Sequence, residues 1–320
     1  MGGERADDGV LIITGSLIGD LIMSTGAIAE IVRRHPGAPV TVVCPPATAV
    51  LFRHLPAPTE VIPLAKKKRG EHWLELWWAL RKRRWARIYD FRNSGAGRFL
   101  NGPRSLTRRS VGVAHKVLEA SSILGDGAAL APVVWLTGAE REALPPAIRT
   151  AKRLLVIGPG ATRIGKAWPV ERFAALAARL TEAGGLLEGA VVAPTGGPMD
   201  RPAAAVIGAA VGPDRFVDMT GADLLTTAAL MAGADLFVGN DSGMMHLAAA
   251  AGAPTLGLFG PTDERLYGPW GERAAAVRAP GVDVVFGKVS KTVSPTENQM
   301  GDLTVDEVAA AADRLLGDGR

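Results

Sequence analysis

The stretch between residues 235 and 263 has the residue types and spacing to bind an anion. Residues 236–238 form an apolar run, and Asp241 and Ser242, two helix-capping residue types, precede a predicted helix over 243–251. The free N–H groups and partial positive charge of such a helix start suit a diphosphate. His246 lies one turn into the helix, either near that anion or as a satisfied core histidine.

A second candidate follows the first predicted strand, over 10–14. Gly15 and Gly19 allow close backbone approach in the turn, and Asp20 falls in the first turn of the next helix. In open α/β sheets ligands bind at such turns, after the carboxyl ends of parallel strands. The carboxylate of Asp20 would also interact favourably with the helix dipole, which is a purely structural alternative.

The third candidate is the glycine-rich loop over 158–169. Residues 160–166 fit the spacing G-x-x-x-x-G-K of the phosphate-binding loop of nucleotide hydrolases, but Ala167 stands where that motif needs a metal-binding Ser or Thr. Pro169 then begins the following helix. We therefore reject a nucleotide hydrolase.

Three blocks of sequence resemble one known family. The stretch GNDSGMMHLAAAAGAPTLGLFGPT (239–262), the stretch GSLIGDLIMSTGAI (15–28), and the glycine-rich loop followed by Lys166-Ala167-Trp168-Pro169 are similar to the motifs of the family 9 glycosyltransferases, the ADP-heptose:lipopolysaccharide heptosyltransferases. The resemblance is strong over 153–270 and 10–30, and weak between about 45 and 115.

The resemblance implies roles for particular residues. Asp20 matches the general base, which takes the proton of the acceptor hydroxyl in an inverting transfer. Lys166 would stabilise the departing diphosphate and Asp200 would hold the ribose, although a turn role for Asp200 is also open. The predicted donor-binding residues are Thr162, Lys166, Asp200, Asp241, Ser242, Gly243 and His246. Asp20 and Lys166 are the predicted catalytic residues.

Two successive sets of strand–helix alternation predict two doubly wound, Rossmann-like domains facing across a cleft, the α/β architecture called GT-B. We expect an acceptor-binding domain over 1–150 and a nucleotide-sugar-binding domain over 151–320. The last predicted helix, 304–316, has the spacing of a capping box, and its packing back on the first domain is left open.

Charge is distributed unevenly along the 320 residues. Residues 1–150 carry 21 Lys/Arg against 13 Asp/Glu, and residues 151–320 carry 15 against 19. The basic first half suits an anionic partner. Its segment 66–92, with ten Lys/Arg and four Trp, is a candidate membrane-surface or acceptor patch or simply a solvated basic helix face. Arg98 and Arg104 are acceptor-binding candidates, with solubilising arginines as the alternative.

Several classes of protein are not expected. The single cysteine, Cys44, excludes an internal disulfide framework and a cysteine metal cluster. The chain has no Asp-x-Asp pair of the kind that metal-dependent glycosyltransferases use, so neither a metal nor a cofactor is expected. Nucleic acid is not an expected partner because no such binding motif accompanies the basic charge. We expect a cytoplasmic protein, with peripheral contact to the cytoplasmic face of the inner membrane left open.

The leading hypothesis is an inverting, metal-independent glycosyltransferase that moves a heptose from ADP-heptose to an anionic glycolipid, the lipopolysaccharide inner core. Three alternatives stay open: a related transferase with another nucleotide sugar or acceptor, a nucleotide-sugar 2-epimerase of the same architecture, and a binding protein with a degenerate site. The epimerase would need several acidic and histidine residues around the sugar, and the sequence near Asp20 offers no such set.

Overall fold

Two parallel β-sheets organise the chain in a computed structural model that describes residues 9–107, 114–284 and 298–317. The structure divides into two compact units, Met1–Trp135 and Leu136–Arg320. The sequence-based boundary, after residue 150, instead groups the short helices before residue 150 with the first domain. In the structure the first of these short helices, Gly138–Glu142, packs on the helix Leu224–Ala232 of the second unit.

The first unit is built on a five-stranded sheet. Its elements are β1 (Gly9–Ile13), α1 (Ile18–Arg34), β2 (Val40–Cys44), β3 (Thr59–Pro63), α2 (Glu71–Leu80), β4 (Trp85–Asp90), β5 (Arg104–Leu106) and α3 (Lys116–Ser121), with 3₁₀ turns at Pro46–Phe52, Lys68–Gly70, Ala96–Phe99 and Ser122–Leu124. All pairings are parallel, in the order β3-β2-β1-β4-β5. The central strands β1 and β2 are buried throughout, as expected for aliphatic runs inside a parallel sheet.

The second unit is built on a six-stranded sheet. Its elements are α4 (Gly138–Glu142), α5 (Pro146–Arg149), β6 (Leu154–Gly158), α6 (Val170–Thr181), β7 (Val191–Gly196), α7 (Arg201–Val211), β8 (Met219–Thr220), α8 (Leu224–Ala232), β9 (Leu236–Asn240), α9 (Gly243–Ala250), β10 (Thr255–Phe259), α10 (Glu264–Tyr267), β11 (Ala274–Arg278) and α11 (Val305–Gly317), with 3₁₀ turns at Ile164–Lys166, Pro198–Asp200 and Pro213–Arg215. The parallel strands run in the order β11-β10-β9-β6-β7-β8.

Both strand orders are those of doubly wound folds. Within its own unit each sheet starts in the middle, grows to one edge, and then continues from the first strand to the other edge, which is the order 3-2-1-4-5 with a sixth strand in the second unit. The order reverses between β1 and β4 in the first sheet and between β6 and β9 in the second. Ligands of such folds bind at the carboxyl ends of the strands that flank this reversal.

A close contact fixes α1 in the first unit. A Cβ atom on Gly26 would lie 2.5 Å from the Leu130 carbonyl oxygen and closer still to that of Ala131, so only glycine lets residues 130–131 pass over the helix. The Thr25 hydroxyl accepts a hydrogen bond from the Val133 N–H (2.9 Å) beside this crossing. The middle of α1 is thereby held against residues 130–133.

Helix α11 packs in the core of the second unit. Its buried residues Val308, Ala309, Ala311 and Ala312 join the cluster formed by strands β6, β7, β9 and β10 and by α6. Its buried face therefore contributes to the core of the second unit. Within the described residues, no helix combines the length and apolar character needed to cross a lipid bilayer.

Candidate active site

The loop after β6 and the start of α9 lie at the reversal point of the second sheet, because β6 and β9 are neighbours. Asn240, the last residue of β9, is fully buried and ties this loop down. Its side-chain amide donates to the Pro159 carbonyl oxygen (2.7 Å), and its side-chain oxygen accepts from the Trp168 N–H (3.0 Å). A single side chain thus closes the loop at both ends.

We expect Asn240→Ala to lower the free energy of unfolding by about 2–4 kcal/mol, because it leaves two buried backbone groups without a hydrogen-bond partner. Urea titration followed by circular dichroism measures this. Asn298→Ala is the matched control: its side chain donates to the Ala167 carbonyl on the same loop (2.9 Å) and accepts from the Met300 N–H (2.7 Å), but it is exposed, so water can replace these bonds and we expect a loss of less than about 1 kcal/mol. Equal losses of unfolding free energy in the two variants would contradict the role of Asn240 in holding this loop.

Lys166 and Asp241 form an ion pair next to Asn240 in the same part of the second unit. The ammonium of Lys166, at the end of the 3₁₀ turn Ile164–Lys166, contacts the carboxylate of Asp241, directly after β9. Their side chains are only 14% and 7% exposed. An ammonium group has three N–H donors, so a lysine held by one carboxylate can still bind an anion. The fold therefore brings two predicted donor-binding residues together, and predicted Thr162 lies exposed on the same loop.

The start of α9 lies where the capping residue types predict it. Ser242 is the N-cap residue, with extended backbone, and its side chain makes no capping hydrogen bond. The N–H groups of the first turn, from Gly243 on, have no partner within the helix and are left without a side-chain cap. His246 is buried close to the start of this helix. Its position agrees with both alternatives, a core histidine and a histidine near the bound anion.

Three buried hydroxyl groups stand at the carboxyl ends of strands of the second sheet, two after the adjacent strands β9 and β10 and one on β7, on the other side of β6. Within the described ranges, Ser242 after β9, Thr262 after β10 and Thr195 near the end of β7 have no hydrogen-bond partner for their side-chain oxygen. A buried polar group without a partner is costly and uncommon, and a catalytic role of the group is one ordinary cause. Neither Thr195 nor Thr262 is among the predicted donor-binding residues, although Thr262 ends the motif over 239–262.

Asp200 joins the loops after β6 and β7. One carboxylate oxygen accepts from the Gly197 N–H (2.8 Å), which is the turn role that the sequence left open. A Cβ atom on Gly160 would lie 2.7 Å from both carboxylate oxygens, so the side chain rests against the loop that carries Lys166. Burial raises the pKa of Asp200, and the Gly197 N–H acts in the opposite direction.

Asp20 lies in the first turn of α1, at the reversal point of the first sheet. Gly15 makes room for it, since a Cβ there would lie 2.9 Å from the Cβ of Asp20. The side chain is exposed to solvent, yet the protein atoms around it partly desolvate the carboxylate and this raises its pKa. Lys116 at the start of α3 lowers the pKa, and Glu119, paired with Lys116 at 2.5 Å, raises it.

Arg98 and Arg104 line one small cavity in the first unit. The cavity has a volume of about 40 Å³ and lies after the carboxyl end of β4. Both side chains are exposed, and Asp90 and Asn93 contribute to the same lining. The structure therefore brings the two acceptor candidates together beside a strand end, although exposure also agrees with the solubilising alternative.

Comparison with known proteins identifies the class. A sequence model of glycosyltransferase family 9 (heptosyltransferase) matches residues 115–285, more than half of the chain. Lipopolysaccharide heptosyltransferase 1 of Pseudomonas aeruginosa is 28% identical, over 90% of this chain and 88% of the relative. The structure of ADP-heptose lps heptosyltransferase II of E. coli is similar in fold, with a TM-score of 0.76, 22% identity, and coverage of 97% of this chain and 99% of the other.

A second solved structure, E. coli heptosyltransferase WaaC with ADP, has a TM-score of 0.73 at 19% identity and covers 96% of this chain and 99% of that one. The protein is therefore a glycosyltransferase with two Rossmann-like units, and the predicted GT-B fold class is confirmed. It belongs to glycosyltransferase family 9, the heptosyltransferases. Family membership decides for a transferase over the epimerase and the binding protein.

Proposed function

We propose that this protein is an inverting, metal-independent glycosyltransferase that moves a heptose from ADP-heptose to the lipopolysaccharide inner core. The observation that carries the proposal is the Lys166–Asp241 pair at the start of α9, beside a helix N-terminus and buried hydroxyls without partners. This set suits a diphosphate. The relative from Pseudomonas aeruginosa is a lipopolysaccharide heptosyltransferase, and the WaaC structure contains ADP, which supports both substrates.

The residues present can divide the reaction between them. The Asp20 carboxylate takes the proton of the acceptor hydroxyl, whose oxygen forms a bond to the anomeric carbon of the heptose. The bond from that carbon to the diphosphate oxygen breaks on the opposite face, which inverts the configuration. The Lys166 ammonium and the N–H groups at Gly243 stabilise the negative charge that develops on the diphosphate, a role that a metal ion has in other transferases. Asp200 accepts from the ribose hydroxyls.

The acceptor is proposed to be an anionic glycolipid. The basic first half of the chain supports this, together with Arg98 and Arg104 at the end of β4. We further propose that the enzyme acts in the cytoplasm, on an acceptor presented at the cytoplasmic face of the inner membrane. The second candidate, transfer from another nucleotide sugar, would use the same diphosphate-binding residues and differ in the base and sugar.

Thermal unfolding with ADP, UDP and GDP, each with and without magnesium, tests the donor. Of the three nucleotides, we expect only ADP to raise the unfolding temperature. The shift should be the same with and without magnesium. A ligand that binds only the folded protein stabilises it by about 2.7 kcal/mol at a hundredfold excess over its Kd. A shift with UDP or GDP would favour the second candidate. The absence of a shift with all three nucleotides would contradict the nucleotide site.

A further inference from the structure

One arginine holds the segment between β10 and α10, residues 260–263, which we call the β10 loop. Arg278 is the last residue of β11 and lies beside the last residue of β10, so it stands at the carboxyl edge of the sheet. Its guanidinium donates to the carbonyl oxygens of Gly260 and Thr262, the second at 2.6 Å, and to the carboxylate of Glu264. A single side chain thus holds the β10 loop at both ends.

The geometry of these contacts suits an arginine. A guanidinium group presents its N–H donors from separate nitrogen atoms in one plane, whereas an ammonium group has its three donors on one atom. One terminal nitrogen binds the Gly260 carbonyl, and the other binds the Thr262 carbonyl and Glu264. The hydrogen bond from Arg278 lowers the pKa of Glu264, which favours the charged carboxylate and strengthens the contact.

The β10 loop rests on the turn that carries Lys166. A Cβ atom on Gly260 would lie 3.2 Å from the carbonyl oxygen of Gly165, the buried residue directly before Lys166. The partner of the lysine, Asp241, is tied to the strand before the loop, because its N–H donates to the Leu258 carbonyl oxygen (3.0 Å). Both members of the ion pair thus adjoin the end of β10 and its loop.

We propose that Arg278 is a positioning residue for the donor site: it holds the β10 loop against the Lys166 turn and so fixes where the Lys166 ammonium meets the diphosphate. This role rests on the proposed function, because it belongs to the same diphosphate site. Arg278 acts through Lys166, since the acceptors of its hydrogen bonds given above are protein oxygens. A displacement of about 1 Å at a catalytic group costs about 10²-fold in rate, so loss of the arginine should reach the chemistry.

Binding of ADP and of adenosine to Arg278→Met, measured by calorimetry, tests this role. A displaced Lys166 weakens the hold on the phosphates and leaves the nucleoside contacts unchanged. We therefore expect the affinity for ADP to fall by about tenfold or more and the affinity for adenosine to change by less than about twofold. Loss of both affinities to the same extent would overturn the proposal, since general damage to the unit does not distinguish the two ligands.

Arg273→Met is the matched control. Arg273 directly precedes β11 and donates to the carbonyl oxygen of Gly252 (3.4 Å), which is the same kind of contact at the opposite end of the same strands. Both affinities should stay within about twofold of those of the unchanged protein. Arg278→Lys is a second test variant, which serves where Arg278→Met does not fold. It keeps a charge beside Glu264 but has one nitrogen in place of two, and it should show the same selective loss of affinity for ADP.

The double variant Lys166→Met/Arg278→Met tests whether the arginine acts through the lysine. Once the lysine is absent its position no longer matters, so adding Arg278→Met should lower the affinity for ADP by less than about twofold further. Full additivity of the two losses would overturn the proposal.

Hydrogen exchange without nucleotide separates this role from the proposed function. The Lys166 and Ala167 N–H groups are hydrogen-bonded within the turn (3.1 and 3.0 Å). Arg278→Met should speed their exchange by about tenfold or more, and Arg273→Met should leave it unchanged. Unchanged exchange in Arg278→Met would overturn the positioning role. Faster exchange in a protein that binds no ADP would support the positioning of the turn and contradict the proposed diphosphate site instead.

Discussion

Asp20→Asn should lower the rate of heptose transfer by about 10²- to 10⁴-fold and leave the affinity for ADP unchanged. The amide keeps the shape of the side chain but cannot take the proton of the acceptor hydroxyl, and positioned general bases contribute rate factors of this size. Single-turnover transfer and calorimetric titration with ADP measure the two quantities. The control is Glu30→Gln, the same change at the far end of α1, which should transfer normally.

The pH dependence of transfer provides a second readout on Asp20. The raised pKa means that the carboxylate is lost by protonation at a higher pH than for an ordinary aspartate, so activity falls as pH drops through that pKa. Glu119→Gln removes an anion that raises the pKa and should move the acidic limb of the profile to lower pH. Lys116→Met removes a cation that lowers it and should move the limb to higher pH. A profile that neither variant moves would assign the limb to another group.

Lys166→Met should slow transfer by about 10²- to 10³-fold and weaken ADP binding, since it removes the cation that stabilises the departing diphosphate. It should also destabilise the fold by up to about 3 kcal/mol, because Asp241 is buried and loses the charge that balances it. Transfer kinetics, ADP titration and urea unfolding measure the three effects. Lys152→Met, an exposed lysine change in the same unit, should alter none of them.

The double variant Lys166→Met/Asp241→Asn separates the two roles of this lysine. Neutralising Asp241 removes the unbalanced carboxylate, so we expect most of the folding stability to return while transfer stays slow. If transfer also recovered, Lys166 would serve only as the partner of Asp241, and the diphosphate role would be wrong.

The sequence predicted the elements that carry the site because the signals are local. An apolar run followed by Gly15 to Asp20 specifies a strand, a turn and a helix start, and the structure places Asp20 in that first turn. The same holds for the loop of Lys166 and for the start of α9. Each of these depends on neighbours within about ten residues, where backbone preference and capping chemistry act.

The contacts that the sequence did not predict are made by side chains that meet only in the folded chain. The sequence motif contains Asn240, but its two partners, Pro159 and Trp168, lie on another loop, and nothing local indicates which groups an asparagine will bind. Lys116 and Glu119 come near Asp20 because α3 packs on α1, a contact between distant segments. Ser242 is a similar case, since its residue type suits a helix cap and a ligand contact equally well, and only the folded chain shows that its side chain makes no capping hydrogen bond.

The two hydrogen bonds of the Asn240 side chain also affect the enthalpy and entropy of nucleotide binding. A loop that is free before its ligand arrives must lose conformational entropy on binding, at about 1–2 kcal/mol for each backbone residue that becomes fixed. Here the folding of the second unit has already closed the segment from Pro159 to Trp168. Nucleotide binding should therefore carry a small ordering penalty in this loop, and Asn240→Ala should shift that penalty from folding to binding, with a more unfavourable binding entropy.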